Sequence, residues 1–269
     1  MKNIAKSFGL MGLFILVQIL VSYGFLIFRI ITDVEWFEMT YQYFVDGGLL
    51  NMKYLSALME VIMPTMVISD FLLIIPMLIN MVRTKEYVFH KLSAKAIFTL
   101  FSLGVVVNAF VSWQTERLPS GSATSQYDGL MDLVFNGSPL FTLLTVGIAA
   151  PIVEELIFRY GIIKIYKTKN EWLAIIVSSF MFGLAHFNLV QSTYAFFTGL
   201  LLGYLYVKSG NLWYSLIVHL TVNTTSVLYM YAPIWLQGIM MLCVSACALY
   251  LIYQILHEMC EKPTPLGVG

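Results

Sequence analysis

Charge is what this chain has least of. Asp, Glu, Lys and Arg together fill 11% of its 269 positions, under half the roughly 25% of ordinary soluble domains. The fifteen acidic and fifteen basic residues cancel, so there is no global field to attract nucleic acid. No basic run alternates with exposed aromatics either, and nucleic-acid binding is not expected. Cysteine is equally scarce. Of the three, Cys243 and Cys247 stand one helical turn apart in the last apolar segment, and Cys260 is in the tail. That spacing gives neither a disulfide framework nor a metal site. The chain has no His-Glu-x-x-His helix to force a zinc reading, no low-complexity tract and no internal repeat.

Hydrophobic residues, by contrast, make up 59% of the chain, against roughly 45–50% in soluble domains. That excess must face lipid. Stretches of about 20 apolar residues predict spans near 8–31, 56–82, 94–113, 139–165, 172–189, 191–207, 212–230 and 234–256. The expectation is therefore an all-α, polytopic transmembrane bundle of about eight helices. The first stretch follows Lys2 and Lys6 as a signal peptide would, but it exceeds the roughly 7–15 apolar residues of a cleavable core and reads as a retained span. The fifth and sixth stretches are short and separated only by Asn188 to Gln191, which suits a re-entrant or partly buried pair. Trp172, Trp213 and Trp235 fall at span ends, as membrane-interface aromatics do.

Basic residues collect on the cytoplasmic side of membrane proteins, and here they sort by alternate loops. Lys2 and Lys6, then Arg83, Lys85, Lys91 and Lys95, then Lys164, Lys167 and Lys169, then Lys208 and Lys262 fall on one side. Asp33, Glu35, Glu38, Asp46, Glu116, Asp128 and Asp132 fall on the other, with Arg29, Lys53 and Arg117 as exceptions. Both termini are thus expected in the cytoplasm, which requires an even number of crossings. The segment from Gln114 to Ser138 holds Pro119, Gly121, Gly129 and Gly137 and reads as a loop. It divides the chain into an amino-terminal three-span region (1–137), a core (138–231), and a last span with its tail (232–269).

A charge at the centre of a membrane helix costs about 2.5–3.5 kcal/mol on insertion scales, so each one asks for a partner or a function. The fourth span holds Glu154, Glu155 and Arg159. Glu155 and Arg159, four apart, share a face and can pair. Glu154 is rotated from Glu155 by about 100° at 3.6 residues per turn, so it can point into a different space. The fifth span carries Phe182 and His186, and the seventh His219 and Asn223, again four apart. At about 1.5 Å per residue, Glu154, His186 and His219 lie about 18, 21 and 10 Å from the cytoplasmic ends of their helices. All fall within a hydrocarbon core roughly 30 Å thick and could meet in one mid-membrane cavity. A lone intramembrane His is commonly a packing residue; an acid pair, an Arg, two His and an Asn at matched depth point to an active site. Glu60, Asp70 and Asn108 have no partner motif and read as structural. Gly199 and Gly203 form a small-xxx-small face for helix packing.

These residues resemble a known family: the membrane proteases related to the CAAX prenyl endopeptidase and to bacterial bacteriocin-processing and immunity proteins. Glu-Glu-x-x-x-Arg is matched at Glu154, Glu155 and Arg159, Phe-x-x-x-His at Phe182 and His186, and His-x-x-x-Asn at His219 and Asn223. Phe158, Ser178, Ser179, Gly183, Leu184 and the run from Asn211 agree with it as well. The likeness covers residues from about 139 to 228. Tyr160 departs from it, since the family often has Gly directly after the Arg and here Gly161 comes one place later.

The resemblance implies an intramembrane endopeptidase acting on a membrane-associated peptide or protein. Glu154 would be the general base on a water also held by His186, while His219 and Asn223 would donate to the tetrahedral oxygen. Glu155, Arg159 and Phe182 would support the site. A zinc version would use Glu154, His186 and His219 as ligands with water in the fourth place, and the sequence leaves both open, with metal-independent chemistry preferred. A non-catalytic immunity or scaffold protein using the same cavity for binding is the alternative function.

Overall fold

The computed structural model describes residues 2–45, 52–86, 88–168 and 170–261. Asp46, Lys169 and Lys262 of the charge pattern lie outside the described residues, as do the side chains of Lys2, Lys53 and Cys260. The described residues form ten helices and no strand. They are α1 (Lys2–Thr32), α2 (Val34–Val45), α3 (Met52–Arg83), α4 (Ala94–Thr115), α5 (Ser122–Phe135), α6 (Pro139–Lys167), α7 (Glu171–Leu184), α8 (Leu189–Ser209), α9 (Leu212–Tyr231) and α10 (Ile234–Glu261).

Helices occupy all eight intervals expected to span. Five of them, α1, α3, α4, α6 and α10, are long and apolar enough to cross a membrane. With 14 residues, α7 extends only about 21 Å at 1.5 Å per residue, short of a roughly 30 Å hydrocarbon core. Length is not what sets α8 and α9 apart, at 21 and 20 residues; their polar residues lower the mean hydropathy. Large apolar side chains such as Leu20, Ile31, Leu242 and Leu249 are exposed along α1 and α10. Outward apolar faces of that extent belong in lipid, and the chain is a multi-pass membrane protein.

The segment 114–138, expected to be a loop, holds α5 instead. Ser, Thr, Asp and Gly give its sequence poor intrinsic helicity, and no residue of α5 is itself buried. Its apolar side, with Leu130, Met131, Val134 and Phe135, faces the interior cavity described below. Tertiary placement, which a propensity reading cannot see, accounts for the helix.

At the centre is α6, where Val153, Leu156, Phe158, Ile162 and Ile163 are sealed from solvent. It is not a uniform α-helix: π-helical stretches at Leu143–Ala149 and Glu155–Ile163 flank the α-helical turn Ala150–Glu154. Pro151 supplies a reason for the irregularity, because it has no N–H to offer the Gly147 carbonyl. The neighbouring helix compensates: Thr224 Oγ1 donates to Gly147 O (3.1 Å) and Asn223 Nδ2 to Val146 O (2.9 Å).

Three asparagines start the helices around α6. Asn170, Asn188 and Asn211 accept from the N–H groups of Leu173, Gln191 and Trp213 and cap α7, α8 and α9. Gly210, left-handed at φ +64°, ends α8. The expected packing of Gly199 and Gly203 is present, with α7 close enough that a Cβ on Gly199 would meet Ser179 at 3.1 Å. Asn3 to Ile165 O, Lys164 to Glu86, Lys208 to Glu171 and Asn211 to the His90 backbone tie the basic segments together at one end of the bundle.

Candidate active site

The four candidate residues reach one place from two helices and a turn. Glu154, His186, His219 and Asn223 all line a cavity of about 300 Å³. Glu155 and Arg159 do not reach it; both are fully buried behind it. The two adjacent glutamates thus face different spaces, as their rotation about the helix axis requires.

His219 joins those two spaces. Its Nδ1 is 2.8 Å from Glu155 Oε1 and its Nε2 is 3.5 Å from Glu154 Oε2. A neutral imidazole has one N–H and one lone pair, so it can donate to only one carboxylate at a time. With Nδ1–H given to Glu155, Nε2 is the ring nitrogen that faces Glu154. Glu155 also lies 3.4 Å from Arg159 Nε, and the expected ion pair within α6 is formed. Removing one partner of such a buried pair leaves an uncompensated charge.

Phe182 is the hub of the packing. Its ring meets His186 edge-on at 4.9 Å between centroids, His219 at 5.5 Å and Phe158 at 5.2 Å. The Arg159 guanidinium stacks 4.4 Å above it, which places a cation on the electron-rich face of the ring. Phe182 therefore holds both imidazoles and the guanidinium in a fixed relation.

His186 is positioned by the turn after α7. Its Nδ1 donates to Phe182 O at 2.8 Å, because a carbonyl can only accept; this leaves the Nε2 lone pair for the cavity. The next residue, Phe187, has φ +52°, a left-handed conformation unusual for a bulky side chain. Asn223, anchored through one N–H to Val146 O, keeps a second N–H and its carbonyl for other partners.

Among the described residues no three His, Cys, Asp or Glu side chains are arranged to hold a metal ion. A second cavity, about 550 Å³, lies between α4, α9 and α10 and is walled mainly by apolar side chains, with Asn108 among its few polar ones. Glu60 is exposed on α3, as a structural role allows. Sequence reasoning missed the contribution of the first 137 residues to the main cavity: Phe14, Gln18, Met66, Val111 and Tyr127 all line it. Gln18 could have been noticed as a lone amide midway along the first apolar stretch. Tyr194 and the apolar face of α5 gave no such signal.

Residues 136–225 match the family model described as Type II CAAX prenyl endopeptidase Rce1-like. Over 115 residues the chain is 28% identical to a Bacillus subtilis (strain 168) protein named "Putative membrane peptidase YdiL", covering 42% of this chain and 46% of that one. Over 96 residues it is 29% identical to an "Uncharacterized 24.3 kDa protein" of Escherichia coli, covering 34% and 44%. The chain thus spans less than half the length of each of these relatives. No solved structure matches it. The matched segment contains Glu154, Glu155, Arg159, Phe182, His186, His219 and Asn223, the whole set gathered at the cavity and behind it. Across residues 136–225, a third of its length, the chain is similar to the Type II CAAX prenyl endopeptidase Rce1-like family.

Proposed function

We propose that this protein is an intramembrane endopeptidase that hydrolyses a peptide bond of a membrane-associated peptide or protein by glutamate-activated water. The observation that carries the reading is the convergence of Glu154, His186, His219 and Asn223 on one cavity. Glu154 takes a proton from a water that also donates to His186 Nε2, and the water oxygen adds to the substrate carbonyl carbon. The carbonyl oxygen becomes an oxyanion. His219, as imidazolium held by Glu155 at Nδ1, and the free N–H of Asn223 donate to it. Collapse expels the amine, which takes the proton from Glu154.

The test is Glu154→Gln in protein shown to be folded, with the peptides of cells carrying each form compared. A general base contributes about 10²–10⁴-fold, so specific peptides should disappear with the variant. Biological function that survives both Glu154→Gln and His186→Ala would leave a binding role in immunity or scaffolding instead. The chemistry is proposed to need no metal. Activity that rises and falls with stoichiometric zinc through chelation and add-back would overturn that, and would recast Glu154, His186 and His219 as ligands. Both termini are proposed to be cytoplasmic, on the sorting of basic residues to one end of the bundle.

A further inference from the structure

Asp70 is the buried acid that the reaction above does not use. It is fully buried on α3, its Oδ2 has no hydrogen-bond partner, and no cation pairs with it among the described residues. A carboxyl so placed at membrane depth is costly and calls for a function. Its hydrogen bond is to Gln18 of α1, whose Nε2 donates to Asp70 Oδ1 at 3.2 Å. Gln18 in turn lines the cavity that holds Glu154, and Asp70 is within electrostatic reach of that glutamate.

The bond to Asp70 decides which way the Gln18 amide faces. A glutamine amide is free to present either end to a cavity; with Nε2 donating to Asp70 Oδ1, the carbonyl Oε1 is the end left over. Among the described residues Oε1 has no hydrogen-bond partner. A peptide drawn into a mid-membrane cavity brings backbone N–H groups that lose their water, and each needs an acceptor. His219 and Asn223 are committed as donors in the proposed chemistry, and Gln18 supplies an acceptor fixed in direction.

We propose that Gln18 is a substrate-binding residue whose Oε1 accepts a backbone N–H of the peptide near the scissile bond, and that Asp70 is the positioning residue that orients it. This rests on the proteolytic reading. The amino-terminal region, outside the matched family segment, would then set part of the substrate specificity.

The probe is a quenched-fluorescent peptide built on a bond whose cleavage in cells depends on Glu154, with a matched set in which each backbone amide near that bond is N-methylated in turn. In proteoliposomes Gln18→Leu should raise KM about five- to tenfold, the range of one net hydrogen bond, with a smaller change in kcat. One N-methylated peptide should suffer that penalty with the wild type and escape it with Gln18→Leu, a coupling that a merely structural role would not produce. Asp70→Leu should copy Gln18→Leu, and Asp70→Asn, whose carbonyl still accepts from Gln18, should restore KM. An N-methyl penalty unchanged by Gln18→Leu overturns the proposal, even where that variant is less stable. Loss of kcat in Asp70→Asn at unchanged KM also overturns it, because Asp70 would then act in the chemistry. If no bond in cells depends on Glu154, the proteolytic reading falls and this proposal with it; if such a bond is cleaved and the coupling is missing, only the Gln18 assignment falls.

Discussion

The buried ion pair of Glu155 and Arg159 is the most exposed point of this site to mutation. Arg159 touches no solvent, pairs with Glu155 and stacks on Phe182, so an ammonium on a flexible stem cannot replace it. Arg159→Met leaves Glu155 buried without its cation, and such losses cost about 3–5 kcal/mol. Thermal unfolding in detergent should show that drop, and Glu155→Gln/Arg159→Met should recover part of it. At the basic end of the bundle, Lys164 Nζ lies 2.6 Å from Glu86 Oε2, and Tyr160 also donates to Glu86. These bonds hold the Glu86 carboxyl below its ordinary value of 4.5. A depressed carboxyl contributes stability that is present above the unfolded value and is lost as pH falls through the folded one. The stability gap between wild type and Glu86→Gln should therefore be full at pH 7 and shrink on acidification below about pH 4.5. A gap that grows in acid would contradict the pairing.

At the scale of elements, the site depends on how closely α9 approaches its neighbours. A Cβ on Gly104 of α4 would stand 2.5 Å from Thr221 Cβ and 2.8 Å from Val218 O. Gly104→Ala must push apart α4 and the helix that carries His219 and Asn223; overpacking of this kind costs roughly 1–3 kcal/mol. Activity per folded molecule should fall as well as the melting temperature, since both groups move with α9. The turn carrying His186 makes the opposite prediction. Phe187 is 78% exposed and left-handed, so Phe187→Gly should relieve strain of order 1 kcal/mol while losing little packing. A higher melting temperature with activity retained is expected; a loss of stability would mean that the ring is needed against lipid. Neither effect could be read from the sequence, where Gly104 and Phe187 look like their neighbours.

For the whole molecule, the segments around residues 88–91, 164–171 and 208–212 are joined by cross-helix bonds at one end. Single cysteines at Lys91 and Thr168 should accordingly label from the same side with a membrane-impermeant thiol reagent, and cysteines at Arg117 and Asp128 from the other. Labelling of all four in intact cells would refute the proposed orientation.

Periodicity and composition were sufficient for the all-helical membrane class, because an apolar stretch long enough for lipid leaves its mark in consecutive residues. Four-residue spacing was sufficient for the Glu155–Arg159 pair and for placing His219 with Asn223, since a helix converts spacing directly into a shared face. Order along the chain and the resemblance it carries marked Glu154, His186, His219 and Asn223. What only the tertiary structure decided is which groups meet across helices: the His219 bridge from Glu155 toward Glu154, Phe182 beneath Arg159, and Gln18 on Asp70 beside the cavity. The helix in 122–135 belongs with them. These features join residues more than twenty positions apart or depend on what an element packs against, and no local pattern in a single sequence encodes a distance between helices.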